Sequence, residues 1–174
     1  TTLDIKEPGL NILPPGVERH VVNAGGLTGL QIFPDDEIEI INDEGNQICE
    51  IICFDKDGKS ELAILNLKEN SNKSFIKEIL KKKDESSLAT NFQLKKRNLD
   101  LNKSHSSILF DEKTPSGEKI KLKSKDKCYV IFSAPQNDML VSEQNPSGDL
   151  ILFIKRAKIT NDKELSIIPD PVFE

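Results

Sequence analysis

Two segments near the end of the chain, Cys128 to Ala134 and Asp149 to Lys155, are almost continuously apolar but only seven residues long. That length is too short for a buried helix of ordinary size, and the β-branched and aromatic content suits strands covered on both faces. A chain carrying such segments must bring other elements onto both sides of them. Further strand signals lie upstream. Glu37-Ile38-Glu39-Ile40 alternates with period two, as a half-buried strand does. Gln47 to Phe54 reads as the next strand, and Asn42-Asp43-Glu44-Gly45-Asn46 between them predicts a β-hairpin with Gly45 at positive φ. Leu30 to Phe33 follows the Asn23-Ala24-Gly25-Gly26 loop, Leu62 to Leu67 suits a third strand after the Asp55–Gly58 turn, and Ile120 to Lys123 alternates with one wet face. Leu13-Pro14-Pro15-Gly16 is an entry turn, since neither proline can donate to a ladder.

The middle differs. Ser74 is placed to cap a helix from Phe75 to Lys83, with Phe75, Ile76, Ile79 and Leu80 on one face and Lys81, Lys82 and Lys83 at its positive-preferring C-terminus. Asp84 to Ser107 is polar with scattered Leu and predicts irregular structure. The pattern as a whole predicts a mostly β chain, an antiparallel β-sandwich or distorted barrel with one short helix in the middle. Its 174 residues form a single β domain, with 68–107 a helix-plus-irregular insert and 166–174 a linker or tail.

Charge is distributed unevenly. Residues 1–67 hold 4 Lys/Arg against 13 Asp/Glu, residues 68–127 hold 16 against 9, and residues 128–174 hold 4 against 7. The basic middle has one Arg and few aromatic side chains, whereas nucleic-acid readers favour Arg and stacking rings. A solvated lysine face, or a contact surface for another domain or a second copy of the chain, is the better reading. No apolar run approaches the roughly 20 residues of a membrane helix. Three cysteines are too few for a disulfide scaffold, and Thr1 to Glu7 lacks the basic start and apolar run of a signal peptide, so a reducing cytoplasm is the expected compartment. The chain begins without Met and ends on Pro169-Asp170-Pro171, which suits a fragment of a longer protein as well as it suits a trimmed one.

Few residues invite chemistry. Cys49 and Cys53 share a strand face but stand roughly 13 Å apart at 3.3 Å per residue, too far to chelate one zinc, so buried structural thiols are expected. Ser104-His105-Ser106-Ser107 has the residue types of a nucleophilic site, although a solvated loop histidine explains it as well. Arg19-His20 could line a cleft. Glu50 shares its strand face with Ile48, Ile52 and Phe54; an edge-strand acid facing water is the expected reading, and burial with a partner and a raised pKa is the alternative. Gln47 falls on the other face. The Asn23–Gly29 loop has no GxGxxG pattern and no following Lys-Ser/Thr.

The strand within Asp35 to Phe54, the turn Asp43-Glu44-Gly45-Asn46-Gln47 and the acid Glu50 resemble the opening of the urea-carboxylase-associated domains, as does Pro14-Pro15-Gly16 before them. Phe132-Ser133-Ala134-Pro135-Gln136-Asn137-Asp138, then Asn145-Pro146 and a strand from Leu150 to Ile154, resemble the family's closing segment. The matches cover roughly the first and last thirds. Fuller members carry a central His/Asp/Thr/Cys-rich segment suited to metal. Here Lys68 to Lys127 has one His and no Cys, so no metal site is carried over. The resemblance implies a domain of the type found ahead of folate-dependent aminomethyltransferases related to the glycine cleavage T protein. It implies no catalytic residue or cofactor in this chain, and tetrahydrofolate in a parent protein beyond Glu174. A transferase domain or a second copy would be the partner, met through the basic middle. The alternative is a free-standing small-molecule binder or hydrolase with a ligand site of His20, Gln47, Glu50 and Asp138.

Overall fold

The computed structural model describes residues 13–71, 74–136 and 148–158. Eight strands and two α-helices are found there: β1 (Val17–Val22), β2 (Leu27–Ile32), β3 (Glu37–Asn42), β4 (Cys49–Asp55), α1 (Phe75–Ile79), α2 (Glu85–Lys96), β5 (Ser106–Leu109), β6 (Glu118–Lys123), β7 (Cys128–Ser133) and β8 (Leu150–Lys155). They form two four-stranded antiparallel sheets of order β1-β8-β3-β6 and β2-β7-β4-β5. This is the strand order of a jelly roll, a β-sandwich in which the chain repeatedly crosses from one sheet to the other.

The crossing overturns the predicted hairpin. β3 pairs with β6 and β8, while β4 pairs with β5 and β7 in the opposite sheet. The connecting turn does use Gly45 at φ 80°, and a Cβ there would meet Ser116 N at 2.7 Å. It carries the chain over the end of the sandwich because each strand has one apolar face to bury, and the two faces meet each other. Ile38 and Ile40 of β3, Cys49, Ile51 and Cys53 of β4, Val130 and Phe132 of β7, and Leu150, Leu152 and Ile154 of β8 form this inter-sheet core. The segment predicted as a strand at Leu62–Leu67 is a 3-10 turn over Leu62–Leu65, which inserts Leu62, Ile64 and Leu65 into the same core.

Only the second sheet is covered twice. β7 is buried along both faces, whereas β8 alternates, leaving Ile151 and Phe153 half-buried on the outer face of the first sheet. That outer face brings the acidic and basic blocks of the sequence together. Glu37 lies opposite Lys123 and Glu39 opposite Lys121 across β3 and β6, with Lys119 Nζ 3.9 Å from Glu39.

The helices lie against the outer face of the second sheet. Ile76, Ile79, Leu80 and Leu94 pack on Leu27, Ile52, Phe54, Tyr129 and Ile131. Ser74 Oγ accepts from Lys77 N–H as predicted, but α1 stops at Ile79, so Lys81–Lys83 lie in a turn instead of the helix C-terminus. The predicted irregular stretch contains α2, capped by Asp84, whose carboxylate accepts from Ser87 N–H at 2.9 Å. Its buried side is largely polar: Ser87 Oγ and Asn91 Nδ2 donate to the α1 carbonyls of Ile79 and Leu80 at 3.0 Å each. Both carbonyls lie at the end of α1, where the run of intrahelical amide donors stops, so polar side chains suit the contact. Arg97 continues the polar layer, donating to Gln31 Oε1 at 2.7 Å and lying 4.8 Å above the Tyr129 ring.

Tyr129 in turn lies across Gly29, where a Cβ would overlap its hydroxyl end. Gly29→Ala is therefore expected to destabilise the fold by about 1–3 kcal/mol, as overpacking does. In a Tyr129→Leu background the same change should cost less than half as much in urea denaturation. Equal losses in both backgrounds would show that the contact is not the cause.

Candidate functional site

Glu50, Gln47 and His20 fall into separate polar centres. Glu50 extends from β4 toward the helices and is fully buried. Oε1 accepts from Ile76 N–H at 2.7 Å and Oε2 from Ser106 Oγ at 2.7 Å, with Ser133 Oγ at 3.5 Å. The carboxylate thus joins the first turn of α1, β5 and β7. Burial pushes its carboxyl above the ordinary value of 4.5, and hydrogen bonds from Ser106 and the Ile76 and Phe75 amides only partly oppose this. The expected water-facing edge acid is thus overturned: β5 pairs beside β4 and the helices cover its outer face, so Glu50 is buried with partners.

Gln47, just before β4, has a second role. Its amide donates to the Ile48 and Pro135 carbonyls at 2.9 and 2.8 Å and accepts from Gly148 N–H at 2.9 Å. Both amide hydrogens and the oxygen are engaged, and they hold together the chain on either side of residues 137–147. Asp138 and Asn145 lie outside the described residues, as does 166–174.

His20 belongs to a third centre, at the β1 edge of the other sheet. Its Nε2 lies 3.1 Å from Glu18 Oε1. Glu18 receives both Arg156 Nε and Nη2, at 2.9 and 3.0 Å, while Arg156 Nη1 reaches Asp36 Oδ2 at 2.7 Å and the Gln31 carbonyl at 3.0 Å. Asp36 also accepts from the Phe33 and Ala157 amides at 2.9 Å each. Burial alone would raise the Glu18 carboxyl, but hydrogen bonds from His20 and Arg156 and the guanidinium charge hold it at about 2. Nothing in the local pattern marks Arg156 as buried. It follows an exposed Lys at the end of β8, and its carboxylate partners lie more than 100 residues away in sequence.

The structure therefore does not bring His20, Gln47 and Glu50 to one surface. Glu50 faces the helices, on the opposite side of the second sheet from the inter-sheet core, while His20 sits in the edge strand of the first sheet. All three cysteines are free and buried in the inter-sheet core, as the spacing argument predicts for Cys49 and Cys53. The Cys53 thiol is pushed up chiefly because it donates to the Cys128 sulfur. His105 is exposed and pairs with Glu69 Oε2 at 3.1 Å, while Ser106 turns inward to Glu50, so the Ser-His-Ser-Ser run assembles no nucleophilic pair. Among the described residues no three His, Cys, Asp or Glu side chains gather as a metal set. Asn42 Oδ1 is the one buried side-chain oxygen or nitrogen among them that meets no hydrogen-bond partner.

Open clefts lie among the described residues. One, of about 490 Å³, is lined by Gly58, Lys59, Ser60, Asn98, Asp100 and Lys103. Another, of about 410 Å³, lies on the outer face of the first sheet between Pro14, Val17, Lys121 and Phe153. None of His20, Gln47 or Glu50 lines either.

No family model matches the chain. It is 31% identical over 168 residues to the trimethylamine-oxide aldolase of Ruegeria pomeroyi, an alignment that takes in 97% of this chain and 21% of that enzyme. The chain thus spans about a fifth of the length of this relative, which by its name metabolises a small molecule. Among solved structures, a DUF1989 family protein from Silicibacter pomeroyi superposes with a TM-score of 0.48 at 10% identity, over 82% of this chain and 80% of that one. The urea-carboxylase association implied by the sequence resemblance finds no support in the aldolase match. No helix among the described residues is long and apolar enough to cross a membrane.

Two predictions separate the polar centres by the sign of their pH dependence. A carboxyl whose pKa is raised on folding binds its proton more tightly in the native state, so its contribution to stability falls as pH climbs from 4.5 through the raised value. Glu50→Gln keeps an acceptor for Ile76 and offers a donor to Ser106. It should gain on the wild type in urea titrations as pH rises from 5 to 8, and a gap that ignores pH would refute this. Glu50→Ala should lose roughly 1–3 kcal/mol for each donor left bare. Glu18 behaves oppositely: its contribution is complete above 4.5 and is lost as pH falls toward about 2. Glu18→Gln should therefore flatten the acid limb of the stability profile. Arg156→Met, which strands two carboxylates, should cost roughly 3–5 kcal/mol at pH 7. A loss below 1 kcal/mol would mean that the ion cluster does not hold the sandwich.

Proposed function

We propose that this chain is a non-catalytic β domain of an amine-metabolising, one-carbon enzyme of the folate-dependent aminomethyltransferase type, working as a structural module of a longer protein. The observation that carries this reading is the alignment of nearly the whole chain with one fifth of an aldolase that acts on trimethylamine oxide. All the carbon of trimethylamine oxide is in N-methyl groups, so chemistry at its carbon is one-carbon chemistry. Folate dependence enters this reading from the sequence resemblance of Gly45, Gln47, Glu50 and Ser133 alone.

The bonding of the polar residues supports the same view. A catalytic carboxylate or amide needs a face open to substrate. Glu50 and Gln47 are buried and turned on neighbouring backbone and hydroxyl groups, which is the work of fasteners. In this reading tetrahydrofolate binds to the rest of the parent protein, and the present residues bind none of it. The module acts by holding the parent's shape.

The purified 174-residue chain is expected to bind no tetrahydrofolate by calorimetry and to release no formaldehyde from trimethylamine oxide. Clear binding or turnover by this chain alone would overturn the accessory role.

A further inference from the structure

The α2 helix is inverted relative to an ordinary surface helix. It buries Ser87, Thr90 and Gln93 beside Leu94, and it exposes Leu88 by 56% and Phe92 by 61%, the two large apolar side chains left open among the described residues. Surface helices place such residues inward. Here the inner face is occupied by polar bonds to α1 and Gln31, and the apolar pair points to solvent.

The outward residues follow a regular pattern. Glu85, Leu88, Phe92 and Lys95 are spaced three, four and three apart, the spacing of a coiled-coil seam. The pattern reads acid, apolar, apolar, base and is symmetric about Thr90. When two copies of the helix lie antiparallel, Leu88 of one faces Phe92 of the other, and Glu85 of each faces Lys95 of its partner. Asp84 and Lys96 repeat the match one step further out. A parallel pair would instead set acid against acid and base against base. The face is thus complementary to itself in one orientation only, which is the requirement for an isologous two-fold contact.

We propose that α2 is a self-association surface, on which a second copy of this chain docks antiparallel through Leu88 and Phe92, with Glu85 and Lys95 setting the orientation. The contact concerns this chain's own surface and does not depend on membership of a longer enzyme. Three helical turns make a small interface, so association is expected at roughly tens of micromolar and above, and it should weaken with added salt.

Sedimentation velocity of the whole chain over a concentration series tests this. The wild type should move from monomer to dimer. Phe92→Ser and Leu88→Ser, both at exposed positions, should keep the circular dichroism spectrum and weaken association by about tenfold or more. The charge variants are more telling. Glu85→Lys alone and Lys95→Glu alone should each stay monomeric, because both end pairs become repulsive. Mixed one to one, they should form a heterodimer in which all end pairs are attractive. A wild type that remains monomeric to millimolar concentration would overturn the proposal. So would a dimer indifferent to Phe92→Ser, or a mixture of the two charge variants that does not associate.

Discussion

The second sheet must be covered twice, and most of the molecule follows from that requirement. β4 and β7 carry aliphatic or aromatic side chains on both faces, with Val130 and Phe132 toward one side and Tyr129 and Ile131 toward the other. At about 25 cal/mol per Å² of apolar surface, neither face can be left in water. The first sheet closes one side. On the other side, the 50 residues between β4 and β5 supply two helices. The apolar residues of α1 and α2 are few, and the layer is completed by polar contacts: Ser87 and Asn91 on the end of α1, and Arg97 on Gln31 and Tyr129.

Burying polar groups in such an arrangement demands partners for them. Glu50 is the clearest case. A carboxylate under a helix layer would be strongly unfavourable alone, and it persists because the Ile76 amide and two serine hydroxyls converge on it. The Glu18–Arg156–Asp36 cluster repeats this at the sandwich edge, where the guanidinium meets a carboxylate from β1, another from the entry to β3, and a β2 carbonyl. Both centres locate elements relative to one another with hydrogen-bond geometry that apolar packing lacks. In both centres the carboxylate oxygens are engaged by protein donors.

The strands were largely legible because period-two patterning and turn residues are local properties. Glu37–Ile40, Cys128–Ala134 and the φ-positive Gly45 are read correctly from their neighbours alone. The β3–β4 hairpin was not, because the same turn can return a strand beside its predecessor or carry it to the opposite sheet, and the choice depends on which partners cover its apolar face. α2 was missed for a related reason. Its inward side chains are Ser, Thr and Gln, so no apolar periodicity announces it. β5 shares that polar stretch, and its inward serine is explained only by Glu50.

Of the candidate site residues, Glu50 was singled out correctly as an acid among aliphatics, yet its partners Ile76 and Ser106 lie 26 and 56 residues away. Arg156 could not be found at all from its own neighbourhood. The sequence by itself determined that this is an antiparallel β protein with a helical insert, since alternation and turn chemistry act over a few residues. Which sheet each strand joins, and which charges are buried together, only the tertiary structure decided. Those outcomes depend on desolvation shared among segments far apart in the chain, and no local pattern records it.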